Sequence, residues 1–238
     1  MTAEPQAGPE HHHEHRDVTG GWLRPAVFGV MDGLVSNTAL VAGVSGGGAS
    51  SDTVLLAGLA GLAAGAFSMA TGEYVSVASQ TELTRAEIEI EKREIARVPA
   101  AEQAELAAIY RSRGVDEATA AEVARQLSRD PDEVWRVHAR EELGVDPDDL
   151  PSSWTAAGSS FAAFTVGALV PVLPYVLGAD SLLVTVVLAL VALFVAGALV
   201  SRFTDRSAVY SGGRQLVLGG AAAALTYAVG SLVGTGIS

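Results

Sequence analysis

The chain has 238 residues, of which 49% are hydrophobic, and its formal net charge is −12. This length allows one large domain or two small ones, and the acidity argues against a nucleic-acid partner, because phosphate binding needs a basic surface. There are no cysteines, so disulfide bonds are excluded. The apolar residues are concentrated in residues 27–80 and 154–238, whereas residues 81–150 hold 18 Asp and Glu against 10 Lys and Arg. This distribution predicts membrane-spanning segments on either side of a polar insertion.

The first 21 residues are predicted to be a polar, disordered tail and not a signal peptide, because no basic segment leads directly into an apolar core. The tail contains His11, His12, His13 and His15, interrupted by Glu14. A natural tail of this kind binds transition metals weakly. A solvated tail without a role and the remnant of a purification tag are the two alternatives.

Five apolar segments are long enough to cross a bilayer as helices. The second has no stop signal, so its helix is predicted to leave the membrane and to end near Pro99. Pro171 and Pro174 fall inside the third, where neighbouring helices can satisfy the freed carbonyls. The fold class is therefore all-α, a polytopic membrane protein with five transmembrane helices. The spans are expected at residues 26–47, 53–78, 154–177, 181–200 and 216–237.

The insertion between the second and third spans is predicted to be a soluble helical bundle. Pro99 and Gly114 mark the start and end of one helix, and Asp116 is the expected N-cap of the next. A third helix is expected from Pro131 to Gly144, followed by a linker rich in Pro and Asp. The predicted organisation is a tail, helices one and two, an acidic insertion, and helices three to five, at residues 1–21, 22–80, 81–150 and 151–238.

Arginine placement predicts the orientation of the chain in the membrane. Arg16 and Arg24 precede the first span, the insertion holds ten basic residues, and Arg202, Arg206 and Arg214 lie between the fourth and fifth spans. The other two loops and the C-terminus hold none. Basic residues are retained on the cytoplasmic side, so the N-terminus and the insertion are predicted to be cytoplasmic and the C-terminus outside.

Two carboxylates fall inside the predicted spans, Asp32 in the first and Glu73 in the second. An ionisable residue in a membrane is energetically expensive, and this pair is predicted to hold either protons or a divalent cation. Met69 lies one turn before Glu73, and its soft sulfur favours a transition metal. The alternatives are packing for Met69, an interfacial position for Glu73, and a hydrogen bond from Ser36 or Asn37 for Asp32.

Acidic side chains recur at helical spacing in the insertion. On one interpretation they are hard ligands for Fe²⁺ or Mn²⁺, and on the other they form an ordinary solvated face. The insertion contains no Glu-x-x-His pair, which argues against a ferritin-type oxidation centre there. The candidate metal ligands are Glu87, Glu91, Glu94, Glu102, Glu105, His138, Glu141 and Glu142.

Three stretches, "FGVMDGLVSNTALVAGVSG", "AGLAAGAFSMATGEYVSVASQTE" and "HAREELGVDP", resemble the vacuolar iron transporter family in its bacterial form. The resemblance covers nearly all of the chain from Gly20 onward. It implies a homodimer of five-span subunits with a cytoplasmic, three-helix metal-binding insertion. It also implies export of Fe²⁺ from the cytosol, or its sequestration, in exchange for protons, with Mn²⁺ as a related substrate. The expected location is the plasma membrane; no enzymatic activity and no prosthetic group are implied.

The resemblance also assigns residues. It implies that Asp32 and Met69 line the membrane path and that five glutamates of the insertion are metal ligands: Glu91, Glu94, Glu102, Glu105 and Glu142. This chain departs from the plant-type pattern in having Gly61 in place of a path glutamate, so Glu73 is the available carboxylate. It also has His138 and Ala139 where a Met and a Glu are expected. A membrane-anchored metal sensor or scaffold that transports nothing is the second hypothesis, and a channel without proton coupling is the third.

Overall fold

The computed structural model describes residues 21–203 and 206–237, and the described residues form eight α-helices, one short 3₁₀ turn and no strands. The all-α fold class is therefore confirmed, while the His-rich tail lies outside the described residues. Five helices (α1, α2, α6, α7 and α8) are long and apolar enough to cross a membrane, as predicted. The helices are α1 Leu23–Gly46, α2 Ser51–Arg97, α3 Pro99–Ser112, α4 Glu117–Leu127, α5 Val134–Glu141, α6 Ser153–Val176, α7 Leu182–Val200 and α8 Ala208–Ile237.

Helix α2 is a single uninterrupted helix of 47 residues. At 1.5 Å per residue it is about 70 Å long, more than twice the thickness of the hydrocarbon core of a bilayer. Its N-terminus is capped by the Ser50 side chain, which accepts a hydrogen bond from the Thr53 amide. The predicted continuity of this helix is confirmed. Because it is continuous, α2 connects the apolar helices directly to the acidic insertion.

Helix α1 is the centre of the membrane part and packs against α6, α8, α2 and α7. Its contact with α6 is close because neither helix carries a side chain where they cross. A Cβ at Gly33 would meet the backbone of Phe164, and a Cβ at Gly167 would meet the backbone of Val30. Small residues at such crossings let helix backbones approach closely in lipid, where apolar burial supplies little driving force.

A buried amide connects three of the membrane helices. Asn37 is only 2% exposed, and its side-chain NH₂ donates to the carbonyl of Gly58 in α2 at 3.2 Å and to that of Ala168 in α6 at 2.7 Å. Its Oδ1 accepts no hydrogen bond. Interhelical hydrogen bonds of this kind stabilise membrane bundles, so Asn37 fixes α1, α2 and α6 relative to one another.

The insertion folds back on the C-terminal end of α2. Helices α3 and α4 pack as a hairpin, and α5 returns to contact α2 and α3. Leu106 and Ala139 are fully buried in this small core. Trp135 of α5 lies between two cations, with Lys92 Nζ 4.2 Å and the Arg136 guanidinium carbon 4.7 Å from its ring centroid, which fixes α5 against α2.

Most predicted helix ends lie within three residues of the observed ones, but α5 is shorter than predicted at both ends and the last helix begins earlier than predicted. Asp116 caps α4 as expected, accepting from the Thr119 amide at 3.1 Å. The sequence predicts α5 from Pro131 to Gly144, but residues 131–133 form turns and the helix is Val134–Glu141. The last helix was predicted from residue 216, but it begins at Ala208, where the Ser207 hydroxyl accepts from the Tyr210 amide and satisfies the new helix end. Gln215 therefore belongs to α8 and not to a loop.

Candidate metal centre

Four side chains of the insertion converge on one point. Glu91 comes from α2, Glu102 from α3, and His138 and Glu142 from the end of α5. Each contributes one possible ligand atom, and these four atoms all lie within 4.8 Å of one another. Two carboxylates are almost fully buried, Glu91 at 7% and Glu102 at 8% exposure, and His138 is completely buried. Three carboxylates and an imidazole at this spacing form a ready set of ligands for a divalent cation.

Local sequence explains why the four meet. Helix α2 ends at Arg97 and α3 begins at Pro99, so the chain reverses sharply and the first turn of α3 returns Glu102 to the face of α2 that carries Glu91. His138 and Glu142 are four residues apart, which places them on one face at the end of α5. The cation–π stack on Trp135 fixes that face toward α2.

Hydrogen bonding within the cluster is incomplete. His138 Nδ1 lies 2.8 Å from Glu142 Oε1 and 2.9 Å from Glu91 Oε1, and a single N–H satisfies only one of them. The geometry assigns the bond to Glu142, because Glu91 Oε1 is buried without a hydrogen bond despite its short distance to the ring. His138 Nε2 is also buried and unpartnered. An unsatisfied buried carboxylate oxygen is costly, so this centre favours a proton or a cation at Glu91.

The electrostatics support the same conclusion. Burial raises the pKa of Glu102, and repulsion from Glu91 and Glu105 raises it further, while His138 offsets part of the rise. Burial also raises the pKa of Glu142, with His138 acting in the opposite direction and Glu105 adding to the rise. Both shifts report a site in which negative charge is poorly compensated. A bound divalent cation would remove that penalty.

The remaining predicted ligands of the insertion lie outside this tight group. Glu87, Glu94 and Glu105 are exposed, although Glu94 and Glu105 are near enough to raise the pKa of Glu102. Glu141 is engaged elsewhere: it accepts from the Tyr110 hydroxyl at 3.0 Å and pairs with Arg113. Neighbouring residues on a helix point about 100° apart, which explains why Glu142 enters the cluster while Glu141 does not.

The cluster borders a cavity of about 390 Å³. His138 and Glu102 line one part of its wall, and Trp135 and Lys92 of the cation–π stack line another. A hydrated ion fits a space of this size. The buried ligands are thus within reach of ions from the surface of the insertion.

In the membrane part, Asp32 and Glu73 line a single cavity of about 550 Å³, which we call the membrane groove. Ser36 donates to the backbone carbonyl of Asp32 at 2.6 Å, and Asn37 donates to other helices, so neither occupies the Asp32 carboxylate. Met69 is not among the groove residues and packs against the cluster around Phe164. The groove is lined by Arg24, Val27, Phe28, Met31, Asp32, Val35, Glu73, Gln215 and Leu218.

Two polar groove residues were not singled out from the sequence. The sequence pattern places Gln215 in a loop, because it predicts that the last helix begins only at residue 216. Arg24 enters the sequence prediction only as a marker of orientation, although it falls two turns before Asp32 and therefore on the same face of α1. At Gly61, a Cβ would lie 2.8 Å from Asn37 Oδ1 and would also collide with Leu40, so these two side chains occupy the space that a longer residue would need.

Comparison with known proteins gives a consistent answer. A model of the VIT family matches residues 23–231. The chain is 34% identical to vacuolar iron transporter 1 of Arabidopsis thaliana, over 97% of this chain and 93% of that protein. It is 40% identical to the vacuolar iron transporter of Acanthamoeba castellanii, over 90% of this chain and 79% of that protein. The chain therefore belongs to the VIT family, the vacuolar iron transporters that its membrane motifs resemble, and members of this family are transporters and not enzymes.

Proposed function

We propose that this protein exports Fe²⁺ from the cytosol across a bacterial plasma membrane in exchange for protons, with Mn²⁺ as a second substrate. It would act as a homodimer, with the N-terminus and the insertion in the cytoplasm and the C-terminus outside. Its iron-transporting relatives support the substrate, and the arginine distribution supports the orientation. The observation that carries the proposal is that one helix, α2, supplies a carboxylate to each of two cation-binding environments, Glu91 to the insertion cluster and Glu73 to the membrane groove.

The insertion cluster is proposed to capture the metal. Residues 81–150 carry an excess of eight acidic residues over basic ones, which raises the local concentration of divalent cations. Carboxylate oxygens with one borderline imidazole suit Fe²⁺ and Mn²⁺. His138 would offer the ion the unprotonated nitrogen of its neutral imidazole, the form in which histidine binds metals. The exposed Glu87, Glu94 and Glu105 are proposed as an outer acidic rim that guides the ion inward, with the partly buried Glu141 beside it held by Arg113.

The membrane groove is proposed to be the transport path. Glu91 lies 18 residues beyond Glu73 on α2, or about 27 Å, so the ion must leave the cluster before it reaches the groove. Asp32 and Glu73 bind the metal in one state and protons in the other, because both carboxylates cannot remain charged and unpaired in a medium of low dielectric. Met69 is proposed as a soft ligand that enters the path when α2 moves against α6.

Transport through reconstituted vesicles tests the proposal. The purified chain, D32N and E73Q would be placed in liposomes with an iron-sensitive dye inside. We expect uptake of Fe²⁺ by the wild type and its loss in both variants, with normal insertion. E82Q, which removes an exposed acidic residue of α2 outside the groove, is the matched control and should transport normally. Unchanged flux in both D32N and E73Q would contradict the assignment of the path.

The alternative function is a membrane-anchored metal sensor or scaffold. It is favoured by one observation: the four clustered ligands lie entirely within the insertion and need no residue of the membrane groove. A sensor would bind Fe²⁺ at the cluster but show no flux in the same vesicles. Binding with flux that depends on Asp32 and Glu73 would exclude it.

A further inference from the structure

We propose that Arg24 acts as a tethered counter-cation of the membrane groove, which competes with the divalent metal for Glu73 and thereby sets how tightly the groove holds the ion. This inference rests on the proposed transport function. It concerns a residue that is neither a ligand nor part of the insertion cluster. Its basis is the position of Arg24, the lack of an ion-pair partner for Arg24 among the described residues, and the charge balance of the groove.

Arg24 faces the same groove as both carboxylates. On α1, Arg24, Phe28 and Asp32 follow one another at intervals of four residues and so share one face of the helix. Asp32 is therefore about 12 Å farther along α1 than Arg24. The guanidinium at this position stands at one end of the groove, with Asp32 two helical turns deeper.

The register of the two helices places Glu73 at the depth of Arg24. Gly61 of α2 lies opposite Asn37 of α1, since a Cβ at Gly61 would be 2.8 Å from Asn37 Oδ1. The helices run antiparallel, so twelve residues along α2 from Gly61 and twelve residues back along α1 from Asn37 reach the same level. These steps lead to Glu73 and to Pro25, the neighbour of Arg24. A long arginine side chain spans the remaining gap within the groove.

Neither charge has an ion-pair partner in the part of the chain that the structure describes. Among the described residues, Arg24 forms no ion pair within 4.0 Å, and Glu73 likewise makes none. This differs from the insertion, where most arginines engage a carboxylate, for example Arg113 with Glu141. Arg24 is exposed and Glu73 is partly buried, so the arginine is the member of the pair that is free to move.

The charge of the groove changes when metal binds or leaves, and Arg24 can respond to that change. With a divalent cation bound, the two carboxylates are neutralised and Arg24 is repelled from the groove. When the ion leaves, two negative charges remain in surroundings of low dielectric, and an arginine that swings toward Glu73 compensates one of them. Arg24 thus stabilises the state without metal relative to the state with metal. The consequence is weaker binding and faster release of the ion.

Transport kinetics of the full chain in vesicles, with Fe²⁺ as the probe under anoxic conditions, test this role. R24Q is expected to lower the KM for Fe²⁺ by roughly threefold to tenfold, as for loss of one partly screened charge contact. R24K keeps the charge and should remain within about twofold of the wild type. R85Q removes a basic residue of α2 outside the groove and should leave KM unchanged.

A second measurement separates charge from folding. The chain contains no cysteine, so R24C provides a unique thiol that is modified after the protein has folded and inserted. A methanethiosulfonate reagent that adds an aminoethyl group restores a positive charge, and one that adds a sulfonatoethyl group introduces a negative charge. The positive adduct should have a higher KM for Fe²⁺ than the negative adduct, in the same preparation.

The outcomes separate this inference from the function on which it rests. No Fe²⁺ flux through the wild-type chain would overturn both. Flux with the same or a higher KM in R24Q, or equal KM values for the two adducts of R24C, would overturn the counter-cation role alone.

Discussion

Replacement of Glu102 by Gln is expected to stabilise the metal-free chain while weakening its metal binding. Carboxylate oxygens of Glu91 and Glu102 lie within 4.8 Å of each other, and two unit charges at that distance repel by ~3.5 kcal/mol at an effective dielectric constant of about 20. The Glu102 carboxyl escapes part of this repulsion by taking up a proton. We therefore expect E102Q to raise the free energy of unfolding by about 1 kcal/mol, equivalent to a rise in Tm of about 2–4 °C.

The stabilisation expected for E102Q should depend on pH, because it reflects the ionisation of Glu102. Because the pKa of Glu102 is raised in the folded chain, its ionisation destabilises the fold as the pH rises through that value. Below the pKa of the unfolded chain the carboxyl is protonated in both states, and the penalty is absent. The advantage of E102Q should therefore be large at pH 7.5 and should disappear near pH 4.

The assay is thermal unfolding of the purified full chain after treatment with a chelator, followed by the same measurement with added Fe²⁺ or Mn²⁺. Metal should raise the Tm of the wild type more than that of E102Q, since the variant has lost one ligand. E117Q removes an acidic residue that is 86% exposed and serves as the matched control. A metal-free E102Q that is less stable than the wild type at pH 7.5, or that gains as much from metal, would refute this account of the cluster.

Three further predictions follow from the same geometry. E142Q should weaken binding of Fe²⁺ to the full chain by about tenfold or more. E141Q, whose carboxylate pairs with Arg113, should lower the Tm but leave the affinity for Fe²⁺ nearly unchanged. Equal losses of Fe²⁺ affinity in the two variants, measured by titration, would contradict the placement of the ligands. The metal affinity of the wild type should fall on acidification at a higher pH than it would with unperturbed glutamates. The reason is that the pKa values of Glu102 and Glu142 are raised, so protons compete with the metal for these carboxylates at higher pH. A plot of metal affinity against pH that follows the ordinary pKa of glutamate would contradict this. N37A removes two interhelical hydrogen bonds and should lower the Tm in detergent by an amount equivalent to about 1 kcal/mol of unfolding free energy. The KM for Fe²⁺ should be unchanged. A normal Tm would show that the amide does not hold the helices together.

Much of the fold could be predicted because its determinants are local. Each span is an apolar run of sufficient length, and Asp116 at the start of α4 is a capping signal within four residues. The start of α8 was missed because Gly212, Gly213 and Arg214 resemble a loop in sequence. In the structure Gly212 is a site of close approach instead, since a Cβ there would meet Phe194 of α7.

The candidate sites were predicted as sets of residue types, but their geometry depends on tertiary contacts. Helical spacing placed Glu91 and Glu94 on one face, yet only the return of α3 and α5 determines that Glu91 is buried in the cluster while Glu94 stays exposed. Similarly, Met69 and Glu73 share a helical stripe, but the packing of α6 against α2 directs Met69 toward Phe164. The hydrogen bond from Asn37 to Ala168 joins residues 131 apart in the chain, a separation that no local pattern encodes.

The most direct test of the central claim follows iron and protons together in the same vesicles. Liposomes containing the wild-type chain would enclose one dye for Fe²⁺ and one for pH, and Fe²⁺ would be added outside with no other gradient. The account predicts that the interior becomes more alkaline as iron enters, and that D32N abolishes both signals. Iron entry without a change of internal pH, or coupled entry that persists in D32N, would contradict proton exchange through the membrane groove.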